Sequence, residues 1–291
     1  MSMNDEIWRK EYPFESNYLD IGGHQYHYID EGEGTPILFV HGNPTWSFAF
    51  RKLVAGLSND YRCIAVDHIG CGLSDKSQDY DYRLQNHIDN LCKLIEELDL
   101  DHITLVAHDW GGAIGMGAAV EMSARISKIV LMNTAAFPST FIPKRIALCR
   151  IPILGAIGVR GFNAFAGAAI SQAIADKKTW TPASKAGYLA PYNNWANRVA
   201  VHRFVQDIPM NASHPSYDTL QNIADHLDQF NETPIKLIWG MQDWCFNPDF
   251  LRRFEEIWPH AETVEIDYAS HYLFEDDPPR CLDEIKQFVE R

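Results

Sequence analysis

The stretch Leu105–Ala113, LVAHDWGGA, runs from four mostly apolar, strand-like residues into an aspartate, a tryptophan and a glycine pair. An aspartate after a strand is an ordinary turn former. Here the pattern is narrower. Ala107-His108-Asp109-Trp110-Gly111 reads small-x-nucleophile-x-small, the sequence form of a nucleophile elbow between a strand and a helix. Such a turn lifts its central side chain above the sheet edge, and its flanks must be small because strand and helix pack closely there. Asp109 takes the nucleophile slot. The N–H of Trp110 then faces the oxyanion position, with a second donor expected from HGNPTW, His41–Trp46.

The surrounding chain supports an α/β reading. YLDIGGHQYHYIDEG (Tyr18–Gly32) alternates around Gly22 and Gly23 and predicts a two-stranded start. PILFV (36–40), RCIAV (62–66), ITLVA (103–107), KIVLM (128–132), IKLIW (235–239) and TVEI (263–266) are short apolar runs suited to strands buried on both faces. Between them, 86–100 places Ile88, Leu91, Cys92, Ile95 and Leu98 on one helical face, and 113–122, 250–257 and 281–289 are further helices. The alternation predicts a doubly wound, mostly parallel sheet. It breaks after NTAAFP (133–138) for about ninety residues rich in Gly, Ala, Pro and aromatics. That interruption predicts a helical cap at 137–225, inserted into a core made of 1–136 and 226–291.

Composition excludes several classes. The formal charge of −14 argues against nucleic-acid binding. No apolar run approaches the roughly 20 residues of a membrane span. The opening MSMNDEIWRKEYPFE is mixed in charge and lacks the apolar stretch of a signal peptide, so a cytoplasmic location is expected. Six scattered cysteines form no C-x-x-C pair, and twelve histidines include no H-E-x-x-H. No metal and no cofactor are expected.

The partners of an elbow nucleophile follow in the order acid, histidine. LIWGMQD leaves a strand and delivers Asp243, and DYASHYLFED follows the last strand and delivers His271. Alone, each reads as a turn residue or a loop histidine. In order, at strand ends, they complete a triad with Asp109. A carboxylate displaces a good leaving group from carbon and forms an alkyl ester. Hydrolysing that ester needs a water deprotonated by His271, whose imidazolium Asp243 orients. A departing anion needs neutral donors in a dry pocket, which the Trp110 indole N–H and the Asn43 amide supply. His41 and His108 read as structural partners of the loops.

HGNPTW, DHIGCGLSDK, HDWGG, WGMQD and SHYLFED resemble the haloalkane dehalogenases of the α/β-hydrolase superfamily, over essentially the whole chain. The resemblance implies the α/β-hydrolase fold. It casts Asn43 and Trp110 as the halide-holding pair and, with the acid after KLIWG, points to the subgroup with an Asp-His-Asp triad. NTAAFP, FNAF, APYNNW, RFVQDIPM and WCFN also resemble the β-lactone decarboxylases of bacterial long-chain olefin synthesis, which share that subgroup. The leading expectation is hydrolytic dehalogenation of a small apolar haloalkane with release of halide, and the alternative is β-lactone decarboxylation. Epoxide hydrolysis, which needs cap tyrosines such as Tyr188 and Tyr192, and ligand binding without turnover rank lower. Phe137, Phe162 and Trp195 are the expected pocket walls. Pocket size separates the leading pair: two long alkyl chains need a channel, to which 155–170 could contribute, whereas a short haloalkane needs a small chamber. The sequence leaves the oligomeric state open.

Overall fold

In the computed structural model, which describes residues 7–291, eight strands form one sheet. They are β1 (Asn17–Ile21), β2 (His24–Glu31), β3 (Pro36–Val40), β4 (Arg62–Val66), β5 (Ile103–Asp109), β6 (Ile126–Thr134), β7 (Ile235–Gly240) and β8 (Glu262–Ile266). Their order is β1-β2-β4-β3-β5-β6-β7-β8; β2 is antiparallel to both neighbours, and the remaining pairs are parallel. Gly22 and Gly23, both at positive φ, close the β1-β2 hairpin as the sequence predicts. The opening segment is only partly visible, since Met1–Glu6 of it lie outside the described residues.

The apolar runs become strands because both faces are covered. Leu38, Val40, Leu105 and Ala107 enter one core, while Ile37, Phe39 and Val106 enter the other. After β3 the chain passes to β4 on one side and then crosses to β5 on the other. That reversal leaves a crevice at the carboxyl ends of β3 and β5, the usual ligand position in such sheets. Asn43 follows β3, and Asp109 ends β5.

Helix boundaries shift where tertiary contacts supply caps. The helix expected from residue 86 spans Leu84–Glu97, because the Asp207 carboxylate accepts the Leu84 N–H at 2.9 Å. The expected 250–257 and 281–289 begin earlier, at Pro248 and Pro278, behind the side-chain caps Asn247 and Asp277. The helix expected at 113 starts at Trp110, directly on Asp109. From the end of β6 to the start of β7 the chain forms helices and no strand, among them Lys144–Cys149, Ala164–Gln172, Pro182–Leu189, Val199–Gln206 and Tyr217–Asp225. This insertion grips the loop after β3: the Trp46 indole N–H donates to Gly187 O at 3.0 Å and the Tyr192 hydroxyl to Thr45 O at 3.2 Å. Among the described residues no helix is long and apolar enough to cross a membrane.

A buried ion pair ties these parts together. The Arg51 guanidinium, 2% exposed, pairs with Glu275, donates to Phe48 O at 3.0 Å and lies 4.0 Å over the Phe48 ring. Glu275 also accepts from Lys52 at 2.7 Å and from the Tyr188 hydroxyl of the insertion at 3.0 Å. Glu275 lies four residues beyond His271. Arg51→Met leaves that buried carboxylate with only Lys52 and the Tyr188 hydroxyl, and is expected to cost up to about 3–5 kcal/mol in urea unfolding.

Candidate active site

Asp109 sits at φ 54 and ψ −127, a strained backbone for a residue with a Cβ. The turn holds because its neighbours are glycines where space is smallest. A Cβ on Gly111 would lie 2.0 Å from Val40 O, and one on Gly42 would lie 2.0 Å from Asp109 Oδ1 and 2.5 Å from Trp110 N. The Thr134 hydroxyl closes the turn from β6 by donating to Asp109 O.

The backbone N–H of Asn43 donates to Asp109 Oδ1 at 2.6 Å, and the Trp110 N–H also stabilises the carboxylate. One oxygen is thereby cradled. The other, Oδ2, lies 3.6 Å from His271 Nε2, beside the imidazole and beyond hydrogen-bond range. His271 Nδ1 donates to Asp243 Oδ2 at 2.8 Å. The second carboxylate is held in turn by the Asn133 amide at 3.0 Å and by the Cys245 N–H at 2.6 Å. The structure therefore brings Asp109, His271 and Asp243 into one buried chain. His108 Nε2 reaches His271 O at 2.8 Å, and His41 Nε2 accepts the His68 N–H at 3.1 Å. Both rings brace the loops.

Burial is the largest influence on Asp109 and raises its carboxyl above the usual range, although His271 and the two backbone N–H groups pull downward. Burial opposes charge on His271, but the charge and hydrogen bond of Asp243 outweigh it, with Asp109 adding to them. Its pKa stands above the ordinary imidazole value. His41, His68 and His108 are pushed down, first of all by burial, and stay neutral.

A cavity of about 120 Å³ opens over Asp109, walled by Trp110, Phe137, Ile146, Phe165, Val205, Leu220, Cys245, Phe246 and Phe250. It adjoins a groove of about 250 Å³ with which it shares Phe137, Ser139, Phe141 and Phe250. Phe137 lines this cavity. Phe162 and Trp195 do not: Asn163, at φ 53, turns the chain so that Phe162 faces solvent, and Trp195 lies at the surface, its ring 4.7 Å from the Arg160 guanidinium carbon. Phe165 takes the place expected of Phe162, and it alone of residues 155–170 reaches the cavity. Tyr188 and Tyr192 are buried, with their hydroxyls turned to Glu275 and Thr45 and away from the cavity. Asn133, Cys245 and Phe246 escaped sequence reasoning although NTAAFP and WCFN contain them, because apolar or amide side chains in a loop carry no chemical signature. Trp110 lines the cavity, and among the described residues its indole N–H has no hydrogen-bond partner. The Asn43 amide donates one of its protons to Val201 O at 3.1 Å, which leaves the other for a ligand. Among the described residues no three His, Cys, Asp or Glu side chains form a group able to hold a metal.

Gly42→Ala pushes the Asp109 carboxylate and the Trp110 N–H apart, and is expected to lower turnover about a hundredfold while the thermal transition stays cooperative. Asp109, raised in the fold, contributes stability below its unfolded pKa that is lost as pH rises through the folded value. Asp109→Asn therefore raises stability at pH 9 by about 1–2 kcal/mol in urea unfolding. His271, also raised, stabilises fully below its unfolded pKa and loses that contribution above. His271→Gln is accordingly more destabilising at about pH 6 than at about pH 9.

Residues 35–278 match the model of the alpha/beta hydrolase fold. The chain is 44% identical over 283 residues, 95% of its length and 89% of the relative's, to a cis-3-alkyl-4-alkyloxetan-2-one decarboxylase of Shewanella oneidensis. It is 34% identical over 277 residues, 92% of its length and 93% of the relative's, to haloalkane dehalogenase 2 of Mycobacterium bovis. The crystal structure of haloalkane dehalogenase DbeA from Bradyrhizobium elkani superposes with a TM-score of 0.87 over 95% of this chain and 98% of that one; at 24% identity this speaks for the fold alone. With an elbow aspartate after β5, an acid after β7 and a histidine after β8, the chain belongs to the α/β-hydrolase fold family, in the group that holds haloalkane dehalogenases and cis-3-alkyl-4-alkyloxetan-2-one decarboxylases.

Proposed function

We propose that the chain is an Asp-nucleophile enzyme that opens cis-3,4-dialkyl β-lactones and releases carbon dioxide and an alkene. This reverses the order expected from the motifs, which put dehalogenation first. The observation that carries it is the 44% identity to the oxetanone decarboxylase against 34% to the dehalogenase, over comparable lengths. Residues 137–225 act as the cap over the site.

The geometry supports a balanced sequence of steps. Asp109 Oδ1 is held by backbone N–H groups, so Oδ2 attacks the ring carbon that bears the ring oxygen. The C–O bond breaks, its electron pair stays on oxygen, and the ring opens to an alkyl ester of Asp109 carrying a carboxylate on the adjacent carbon. The Trp110 indole N–H and the free proton of the Asn43 amide receive that carboxylate. The C–C bond to the carboxylate then breaks, its electrons form the double bond, and the ester C–O pair returns to Asp109, where the cradle stabilises the recovered anion. No water is consumed. When Asp109 is free, His271, oriented by Asp243, favours its charge.

Dehalogenation remains the second reading because the chamber, about 120 Å³, suits a short haloalkane. In the lactone reading the alkyl chains extend past Phe137 and Phe250 into the adjoining groove. In dehalogenation His271 activates water to cleave the Asp109 ester.

The test runs a long-chain cis-3,4-dialkyl β-lactone beside 1-bromoalkanes of several lengths in ¹⁸O-water. Alkene and carbon dioxide without ¹⁸O incorporation at Asp109 are expected from the lactone, and Asp109→Ala lowers this turnover about a thousandfold or more. Halide release with no alkene returns the assignment to dehalogenation. In that case His271→Ala accumulates a mass increase on the Asp109 peptide.

A further inference from the structure

Residues 122–175 carry Arg125, Lys128, Lys144, Arg145, Arg150 and Arg160 and not one aspartate or glutamate, in a chain of formal charge −14. Among the described residues, Lys144, Arg145, Arg150 and Arg160 enter no ion pair; Arg145 meets the Gln172 amide oxygen, Arg150 the Ile208 carbonyl and Arg160 the Gln78 amide oxygen. No carboxylate pairs directly with any of the four, and only Arg150 feels a nearby one, Asp207.

The same segment turns large apolar side chains to solvent. Leu148 is 62% exposed, Ile153 76%, Leu154 66% and Phe162 79%. On the helix Lys144–Cys149, Ile146 faces the cavity while Leu148 faces outward, so the helix is apolar on both sides. Ile153 sits at φ 66, a left-handed backbone costly for a β-branched residue, and that strain presents it at the tip of the segment. Exposed apolar residues ringed by unpaired cations match an anionic lipid interface, where chains enter the acyl boundary and cations meet headgroup phosphates. Phe141 joins this surface to the site, since it is exposed and also lines both the cavity and the groove.

We propose that the surface formed by residues 141–162 docks on an anionic lipid bilayer, with Ile153, Leu154 and Phe162 inserted and Lys144, Arg145 and Arg150 on the headgroups. An apolar substrate then reaches the cavity past Phe141 without crossing water. The binding does not depend on which reaction follows.

Co-sedimentation of the full chain with vesicles of phosphatidylglycerol and phosphatidylcholine, against phosphatidylcholine alone, tests this. Binding to the anionic vesicles is expected, weakened at about 0.5 M salt. The double variants Leu154→Asp/Phe162→Asp and Lys144→Glu/Arg145→Glu are each expected to lower partitioning about tenfold or more, with unchanged circular dichroism and melting. Equal partitioning of wild type and variants, or no preference for anionic vesicles, overturns the proposal. So does a dimer, seen by light scattering, that Leu154→Asp/Phe162→Asp splits while vesicles remain unbound; that result assigns the surface to a second copy of the chain.

Discussion

The close approach of three backbone segments around Asp109 is the constraint from which the site follows. The strand must end, reverse through a strained residue and begin a helix at once, while the loop after β3 passes within contact distance of the carboxylate. Only glycine fits at 42 and 111, because a single added carbon at either would overlap backbone or the reacting group. The strain costs free energy that the packed strands on either side offset, and in return one carboxylate oxygen is locked against N–H donors while the other faces the cavity.

Charge in the interior is concentrated where chemistry can use it. Burial raises the pKa of Asp109, whereas Asp243 raises that of His271 against burial and also orients the imidazole. Asn133, from the end of β6, fixes Asp243 in turn and also accepts the Gly240 N–H at 2.7 Å, so the acid loop is pinned to the neighbouring strand. The Arg51–Glu275 pair anchors the histidine loop to the helix after the oxyanion loop and to Tyr188. His41, His68 and His108 are held neutral by burial, and each has a ring nitrogen within hydrogen-bond distance of a backbone group.

The walls add little polar chemistry of their own. Apolar side chains stand on nearly every side, and the polar groups that line the cavity are few, chiefly Asp109, Trp110, Asn43 and Ser139. A leaving carboxylate and a leaving halide ask for the same donors. What distinguishes the reactions is room for alkyl chains and access to water. The groove beyond Phe137 and Phe250 shares Phe141 with that chamber, and Phe141 is itself exposed.

The strand cores, the family and the strand-end positions of Asp109, Asp243 and His271 were legible in the residues themselves, because their signals are local. Apolar runs encode buried strands, small flanks encode a tight turn, and an acid and a histidine at strand ends encode partners. Helix starts were less legible, since the cap of Leu84 comes from Asp207, far along the chain, and the side-chain caps at Asn247 and Asp277 extend two helices backward. The pocket walls were least legible: Phe162 and Phe165 differ by three positions in one segment, yet a left-handed Asn163 sends the first to solvent and the second to the cavity. Sequence alone determined the family and the order in which Asp109, Asp243 and His271 are strung. Tertiary structure alone decided which aromatics enclose them, how much space remains and which charges stay unpaired outside, because those properties depend on the relative placement of segments that no local pattern specifies.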